Sequence, residues 1–270
     1  MSRTWSWGWI WTALAILAGI WVLVPIYLLA ISAFGGDRVI NAWPKNFLPT
    51  VISLETLRFF FGVQGVWNAI LNSVIVAAMT MVFSVLLGAP AGYALARFAF
   101  AGKDAYRLLI LLTRAFPIAI LALPLTVRFI ELGIYDTTFA VALVHTALAL
   151  PFAILVSSSL FVGIPRELEE AAWTLGCTRL QAFTKIVWPL AMPGIAATAI
   201  FAFVISWNEV FAASVLTLRE RTLTAYLLTS LNESPLPFRF AGGLFLIVPA
   251  LVFIFFVRRY LFSMWGIANR

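Results

Sequence analysis

Six stretches of this chain are each apolar over about twenty residues or more, the length a helix needs to cross a hydrocarbon layer about 30 Å thick. They run Ile10–Ala33, Ala69–Leu95, Leu108–Val127, Thr138–Val162, Met192–Leu218 and Phe240–Val257. Inside a bilayer no water is available to backbone amides and carbonyls, so segments of this length must be helices that satisfy their own hydrogen bonds. Hydrophobic residues make up 63% of the 270 residues, charged residues only 11%, and mean hydropathy is +1.02. A soluble domain is excluded. The expectation is an all-α, polytopic membrane protein with six transmembrane helices, forming one transmembrane domain over residues 1–270.

The first stretch follows Arg3 and could be mistaken for a secretory signal, but its apolar run is too long for one. Trp5, Trp7, Trp9 and Trp11 suit an interfacial belt, since a spacing of two scatters them around a helix. With the N-terminus inside, ten Lys and Arg fall in inside segments (Arg3, Arg97, Lys103, Arg107, Arg166, Arg179, Lys185, Arg258, Arg259, Arg270) and seven in outside segments (Arg38, Lys45, Arg58, Arg128, Arg219, Arg221, Arg239). The bias puts both termini in the cytoplasm. The net charge of +7 then reflects topology. No basic stripe interleaved with aromatics is present, so the expected surroundings are a lipid bilayer and not a nucleic acid.

Residues 163–189 are the one long charged and amphipathic interlude. Pro165 stands at a first helical position, with Glu167, Glu169 and Glu170 in a first turn that favours acids. Leu168, Ala171, Ala172 and Leu175 recur at helical spacing as a narrow stripe with small residues at its centre. Gly176 suits the residue after a helix end. Thr178 and Gln181 have capping-box spacing, opening a second helix that carries Leu180, Phe183 and Val187 and is expected to stop at Pro189. An interfacial helix pair is the plain alternative, although such helices carry more Lys and Arg on their polar face.

Several chemistries are excluded by inventory. One His and one Cys cannot assemble a His/Cys metal site or an internal disulfide. The only Gly-Lys pair, Gly102-Lys103, lacks the rest of a phosphate-binding loop. His145 with Ser157, Ser158 or Ser159 lacks a nucleophile turn and oxyanion donors, so an intramembrane hydrolase is not supported.

Polar groups at membrane depth are costly unless they face protein or water. Those groups are Asn68, Asn72, Arg114, His145, Asn208 and Glu209, read either as pathway lining or as helix-helix glue, with a Glu209–Arg114 pairing conceivable. Every stretch carries a proline: Pro25, Pro90, Pro117 with Pro124, Pro151, Pro193 and Pro249. Gly88 and Gly92 flank Pro90 as a small-residue face suited to close packing.

Glu170-Ala171-Ala172, Gly176, Ile186 and Pro189 resemble the cytoplasmic loop of ABC importer permeases. Leu175 stands where that family commonly has Asp, and Trp188 where it usually has Leu. Trp67-Asn68, Asn72-Ser73, Tyr93-Ala94-Leu95-Ala96-Arg97-Phe98, Leu132-Gly133 with Asp136-Thr137, Leu150-Pro151-Phe152 and Trp207-Asn208-Glu209 are similar to the maltose-type branch of carbohydrate importers. Within it, the resemblance is to the shorter, six-span permease of the maltose permease G type. The tail Met264–Arg270 departs from that branch.

The resemblance implies a type I ABC importer permease fold in a bacterial inner membrane. It implies a noncatalytic subunit that moves a carbohydrate, polyol or glycoside inward by alternating access. Implied partners are a second, different permease, two cytoplasmic ATPase subunits and an extracytoplasmic solute-binding protein. ATP and Mg²⁺ belong to the ATPase, and no cofactor is expected in this chain. Residues 163–189 become the coupling loop, with Glu169, Glu170, Ala171, Ala172, Leu175, Gly176 and Phe183 expected to serve ATPase coupling. Asn72, Arg114, Asn208 and Glu209 are expected along the translocation pathway. The competing reading is an ion-coupled secondary transporter using Glu209 and His145 as a relay.

Overall fold

The computed structural model describes residues 8–44, 47–48, 52–230 and 233–264, without the side chains of 37, 38, 253, 254 and 256–264. Arg3, Trp5, Trp7 and the tail beyond Met264 lie outside the described residues. Every regular element among the described residues is helical. The chain groups into two compact units: residues 1–66 with 230–248, and residues 67–229 with 249–270.

In the first unit, α1 (Gly8–Asn41) contains the first apolar stretch and leaves helical geometry at Gly36, whose φ of 66° an L side chain rarely adopts. Beyond this break the chain returns, Ser53 N donating to Phe34 O, and enters α2 (Glu55–Gly62). Phe60 of α2 is fully buried among the rings of Phe61, Phe238 and Phe245. The last two belong to α12 (Leu236–Met264), which contains the sixth stretch.

In the second unit, α3 (Val66–Arg97) and α6 (Thr138–Val162) are long apolar helices matching the second and fourth stretches. A Cβ on Gly92 would stand 2.6 Å from Ser157 Cβ and 2.7 Å from Ser158 N, and one on Gly88 would stand 2.8 Å from Ala153 Cβ. The two glycines therefore let the α3 backbone lie directly on α6, as the small-residue spacing predicts.

Two of the six apolar stretches are not single helices. The third divides into α4 (Lys103–Leu112), a short 3₁₀ turn over Thr113–Ala115, and α5 (Ile118–Glu131), with 86° between the two arms. Pro117 forces this, because it lacks an N–H and drives Phe116 into extended backbone at φ −77°, ψ 117°. The fifth stretch runs as α9 (Trp188–Asn208), breaks at Glu209 and Val210, and resumes as the short α10 (Phe211–Leu216), which α11 (Leu223–Ser230) follows. Among the described residues, four helices are long and apolar enough to cross a membrane, or five if the bent α4–α5 pair is one span, and Leu236–Val252 is a shorter apolar run.

Residues 163–189 form helix, turn, helix. α7 (Glu167–Thr174) ends where Gly176 takes φ 89° while Cys177 N donates to Ala172 O and Gly176 N to Trp173 O. This pairing of the last carbonyls needs a left-handed residue, and glycine supplies it without strain. α8 (Arg179–Ala182) opens with both halves of the Thr178–Gln181 capping box in place. The expected stop at Pro189 does not occur. A π-turn over Phe183–Val187 carries the chain into α9, its wider hydrogen-bond spacing accommodating Pro189, which has no N–H to donate. The segment is thereby continuous with a candidate span, Arg179–Asn208.

Candidate functional site

Two polar centres stand out in the second unit, one at the 163–189 segment and one at the α9–α10 break. At the first, α7 presents two chemically different faces. Leu175 is 85% exposed, Leu180 70% and Leu168 42%, with Ala171 and Gly176 also open. On the opposite face Glu169 is 2% exposed and Ala172 5%. The single stripe expected from Leu168, Ala171, Ala172 and Leu175 is therefore split, because i and i+4 neighbours at 100° per residue straddle the boundary between open surface and bundle. Glu170, Ala171, Leu175 and Gly176 face outward, whereas Glu169, Ala172 and Phe183 face the chain's own helices.

Glu169 is held by the end of α3. Tyr93 donates its hydroxyl to Glu169 Oε2 at 2.5 Å, and Arg97 Nε donates to Glu169 Oε1, while Arg97 Nη2 donates to Ile164 O at 3.0 Å. A buried ion pair is sustained only when its remaining donors and acceptors are also satisfied, and here both partners make further hydrogen bonds. Below it, Phe183 meets Tyr93 with ring centroids 4.6 Å apart, and Tyr93 meets Phe161 at 5.4 Å. A cavity of about 420 Å³ beside the pair is lined by Tyr93, Arg97, Glu169, Trp173, Arg179 and Leu180 among others. Tyr93 and Arg97 were not singled out individually in the sequence. Their i, i+4 spacing at the end of an apolar helix was the available signal, but it does not name the partner 72 residues away.

At the second centre, His145 of α6 is fully buried, its Nδ1 2.8 Å from Ser206 Oγ and its Nε2 2.9 Å from Glu209 Oε2. Glu209 also accepts the amides of Ala212 and Ala213, the first-turn donors of α10, at 2.9 and 3.1 Å. Thr80 of α3 donates to Ser206 at 3.3 Å. An ionised carboxylate can only accept, which orders the chain of donors as Thr80 to Ser206, Ser206 to His145 Nδ1, and His145 Nε2–H to Glu209. The conceivable Glu209–Arg114 pair is replaced by Glu209–His145, since Arg114 sits exposed in the turn at the α4–α5 bend. Asn208 is exposed and donates to Val204 O in its own helix. Asn72 donates to Glu220 Oε2 at 3.0 Å and to Arg221 O at 3.3 Å.

The motif residues flanking these groups form a clasp on the 216–224 segment. Ser73 Oγ accepts from Leu223 N, and Thr224 Oγ1 donates to Glu209 O. Asp136, at φ 57°, accepts the amides of Leu218, Arg219 and Glu220 at 2.7, 3.0 and 3.1 Å on a single oxygen. Thr137 beside it caps α6. Asn72 and Glu209 are thus joined through one loop, and Arg114 is not part of it.

Burial pushes the Asp136 carboxyl up, but the amides of Leu218, Arg219 and Glu220, with the Arg219 charge, outweigh it and hold the group below the usual carboxylate range. A folded value below the unfolded one contributes stability that is complete above pH ~4 and is lost as pH falls through the folded value. Asp136→Ala removes the charged acceptor and places alanine at a positive φ, costing roughly 1.5–3 kcal/mol. Hydrogen exchange at the amides of 218–220 is expected to rise in this variant at neutral pH, and in the wild type only in acid. Equal protection in wild type and variant would show that the carboxylate does not hold the loop.

A helical bundle with a short braced helix pair projecting one apolar face is the architecture of an ABC importer permease. A family model for binding-protein-dependent transport system inner membrane components matches residues 84–263, and the chain belongs to that family. It is 33% identical over 259 residues to the trehalose transport system permease protein SugB of Mycobacterium tuberculosis, covering 92% of each chain. It is 32% identical over 245 residues to the arabinooligosaccharides transport system permease protein AraQ of Halalkalibacterium halodurans, covering 87% of this chain and 86% of the other. Among solved structures, a chain of a bacterial ABC transporter involved in import of the acidic polysaccharide alginate superposes with a TM-score of 0.80 over 96% of this chain and 98% of its own, at 21% identity. The protein is a multi-pass membrane protein and a transport permease subunit.

Proposed function

We propose that the chain is the noncatalytic permease subunit of an ATP-driven importer for a carbohydrate, polyol or glycoside, working by alternating access. The observation that carries this reading is the 163–189 segment, a braced helix pair whose apolar face of Leu168, Ala171, Leu175 and Leu180 is open to solvent and available to a partner subunit. The names of relatives that carry trehalose and arabinooligosaccharides support the carbohydrate class. The proposed partners are a second, different permease, two cytoplasmic ATPase subunits that bind ATP and Mg²⁺, and an extracytoplasmic solute-binding protein. The proposed setting is a bacterial inner membrane, with both termini and the 163–189 segment cytoplasmic and the Asp136 clasp on the outer side. Asn72 and Glu209, joined by that clasp, brace the outer end of the bundle.

Reconstitution tests this reading. The chain is expected to copurify with an ATPase and a second permease. In proteoliposomes the complex should take up labelled sugar only with ATP and the loaded binding protein. Uptake by the chain alone, driven by a proton gradient without ATP, would replace the proposal with secondary transport through Glu209 and His145.

A further inference from the structure

We infer that Tyr93, Arg97 and Glu169 form a strut that positions the 163–189 segment, so that displacement of α7 by a partner reaches α3 and the span packing behind it. The inference rests on the proposed role of that segment and adds the internal connection it requires.

A short helix of eight residues with an exposed outer face can transmit motion only if its inner face is tied to something rigid. Covalently α7 joins α6 through residues 163–166 and α9 through α8 and the π-turn, the latter route bending at Gly176. The buried ion pair adds a direct tie to α3. Arg97 and Glu169 side chains are 9% and 2% exposed, so water does not compete for their bonds as it does at the exposed Arg166–Glu170 pair, which is 3.6 Å long. Arg97 also holds Ile164 O, which fixes the entry to α7 as well as its first turn. Two donors on Glu169 and two acceptors for Arg97 define one orientation of α7 against the end of α3.

Rigid packing continues beyond the strut. Tyr93 is one residue past Gly92, whose backbone rests on Ser157 and Ser158 of α6. Its ring also contacts Phe183 of the π-turn and Phe161 of α6. A shift of Glu169 therefore bears on α3, α6 and the start of α9 together.

The experiment uses the complete reconstituted importer and measures sugar uptake and ATPase stimulation by the loaded binding protein. Arg97→Gln and Glu169→Gln are expected to retain ATPase subunits on copurification. Uptake should fall at least 10-fold, with stimulation dropping toward the basal rate. Tyr93→Phe should give a smaller loss of the same kind. Should the Gln variants fail to assemble, an Arg97→Cys/Glu169→Cys pair in a Cys177→Ser background provides the second measurement. A short bifunctional thiol reagent joining the two positions should restore stimulation and uptake, since a covalent link replaces the ionic one.

Normal stimulation and uptake in Arg97→Gln and Glu169→Gln would overturn the strut. So would a link that forms but restores nothing. In both cases a wild-type complex that is still stimulated leaves the permease reading intact. A wild-type chain that binds no ATPase would remove that reading itself.

Discussion

Leu175→Asp is expected to abolish sugar uptake, by 10-fold or more, while leaving the chain folded and inserted. Leu175 is 85% exposed at the end of α7, so a carboxylate there meets water in the isolated chain and costs little stability. In the proposed complex, the same position enters a partner groove. A desolvated and unpaired charge then weakens docking by several kcal/mol, whereas trimming an exposed leucine to alanine removes only part of the apolar contact. ATPase subunits should be lost on copurification from Leu175→Asp and retained by Leu175→Ala. Ala172→Asp serves as the contrast. It is 5% exposed and lies on the Glu169 face, so its carboxylate is buried three residues from another one. The expected failure is undocking of α7 from α3, seen as a lower unfolding temperature before any partner is added. Gly176→Asp combines both effects, since φ 89° strains any L side chain by about 1–2 kcal/mol. Full ATPase association and wild-type uptake in Leu175→Asp would remove the docking face.

The contrast between Leu175 and Ala172 marks what sequence reveals and what it does not. Helix class, apolar stretches, the Gly176 turn and the Thr178–Gln181 capping box are local properties, written within one contiguous segment by composition, period, φ requirement and side-chain reach. They are legible for that reason. Which side of α7 faces the bundle depends on Arg97 and Tyr93, far away in sequence, and a helix short of hydrophobic contrast carries no sign of it. Glu169 and Glu170 are adjacent identical acids with opposite fates, one buried against Arg97 and one exposed beside Arg166. Prolines were visible but not their consequences. Pro117 turns its segment through 86°, whereas Pro189 is absorbed by a π-turn and Pro151 sits inside an unbroken α6. The difference lies in what neighbouring backbone can rearrange to satisfy, which is a tertiary matter. Polar residues at membrane depth are recognisable as costly, but sequence alone does not choose between partners: it allows Arg114 or His145 beside Glu209, and the folded chain brings Glu209 to His145.

Glu209→Ala is expected to lower stability by roughly 2–5 kcal/mol, because it strands several buried donors at once. His145 Nε2–H, in a fully buried ring, loses its acceptor, and the amides of Ala212 and Ala213 lose theirs at the start of α10. Glu209→Gln separates this structural role from a transport role. A glutamine carbonyl placed where Oε2 stands still accepts from both His145 and Ala213, while its amide nitrogen faces the Ala212 N–H, donor against donor, at a cost of roughly 1–3 kcal/mol. The variant should therefore assemble, unfold a few degrees below wild type, and import sugar with ATP. Glu209→Ala should lose the complex in detergent or yield one of markedly lower unfolding temperature. The charge itself decides between the readings. A relay that passes protons through Glu209 cannot run on an amide, so ATP-dependent uptake at near wild-type rate in Glu209→Gln is what the hydrogen-bonded geometry requires. A fully assembled and stable Glu209→Gln complex with no uptake would instead place the carboxylate in the solute's path, and the cap on α10 would be secondary to it.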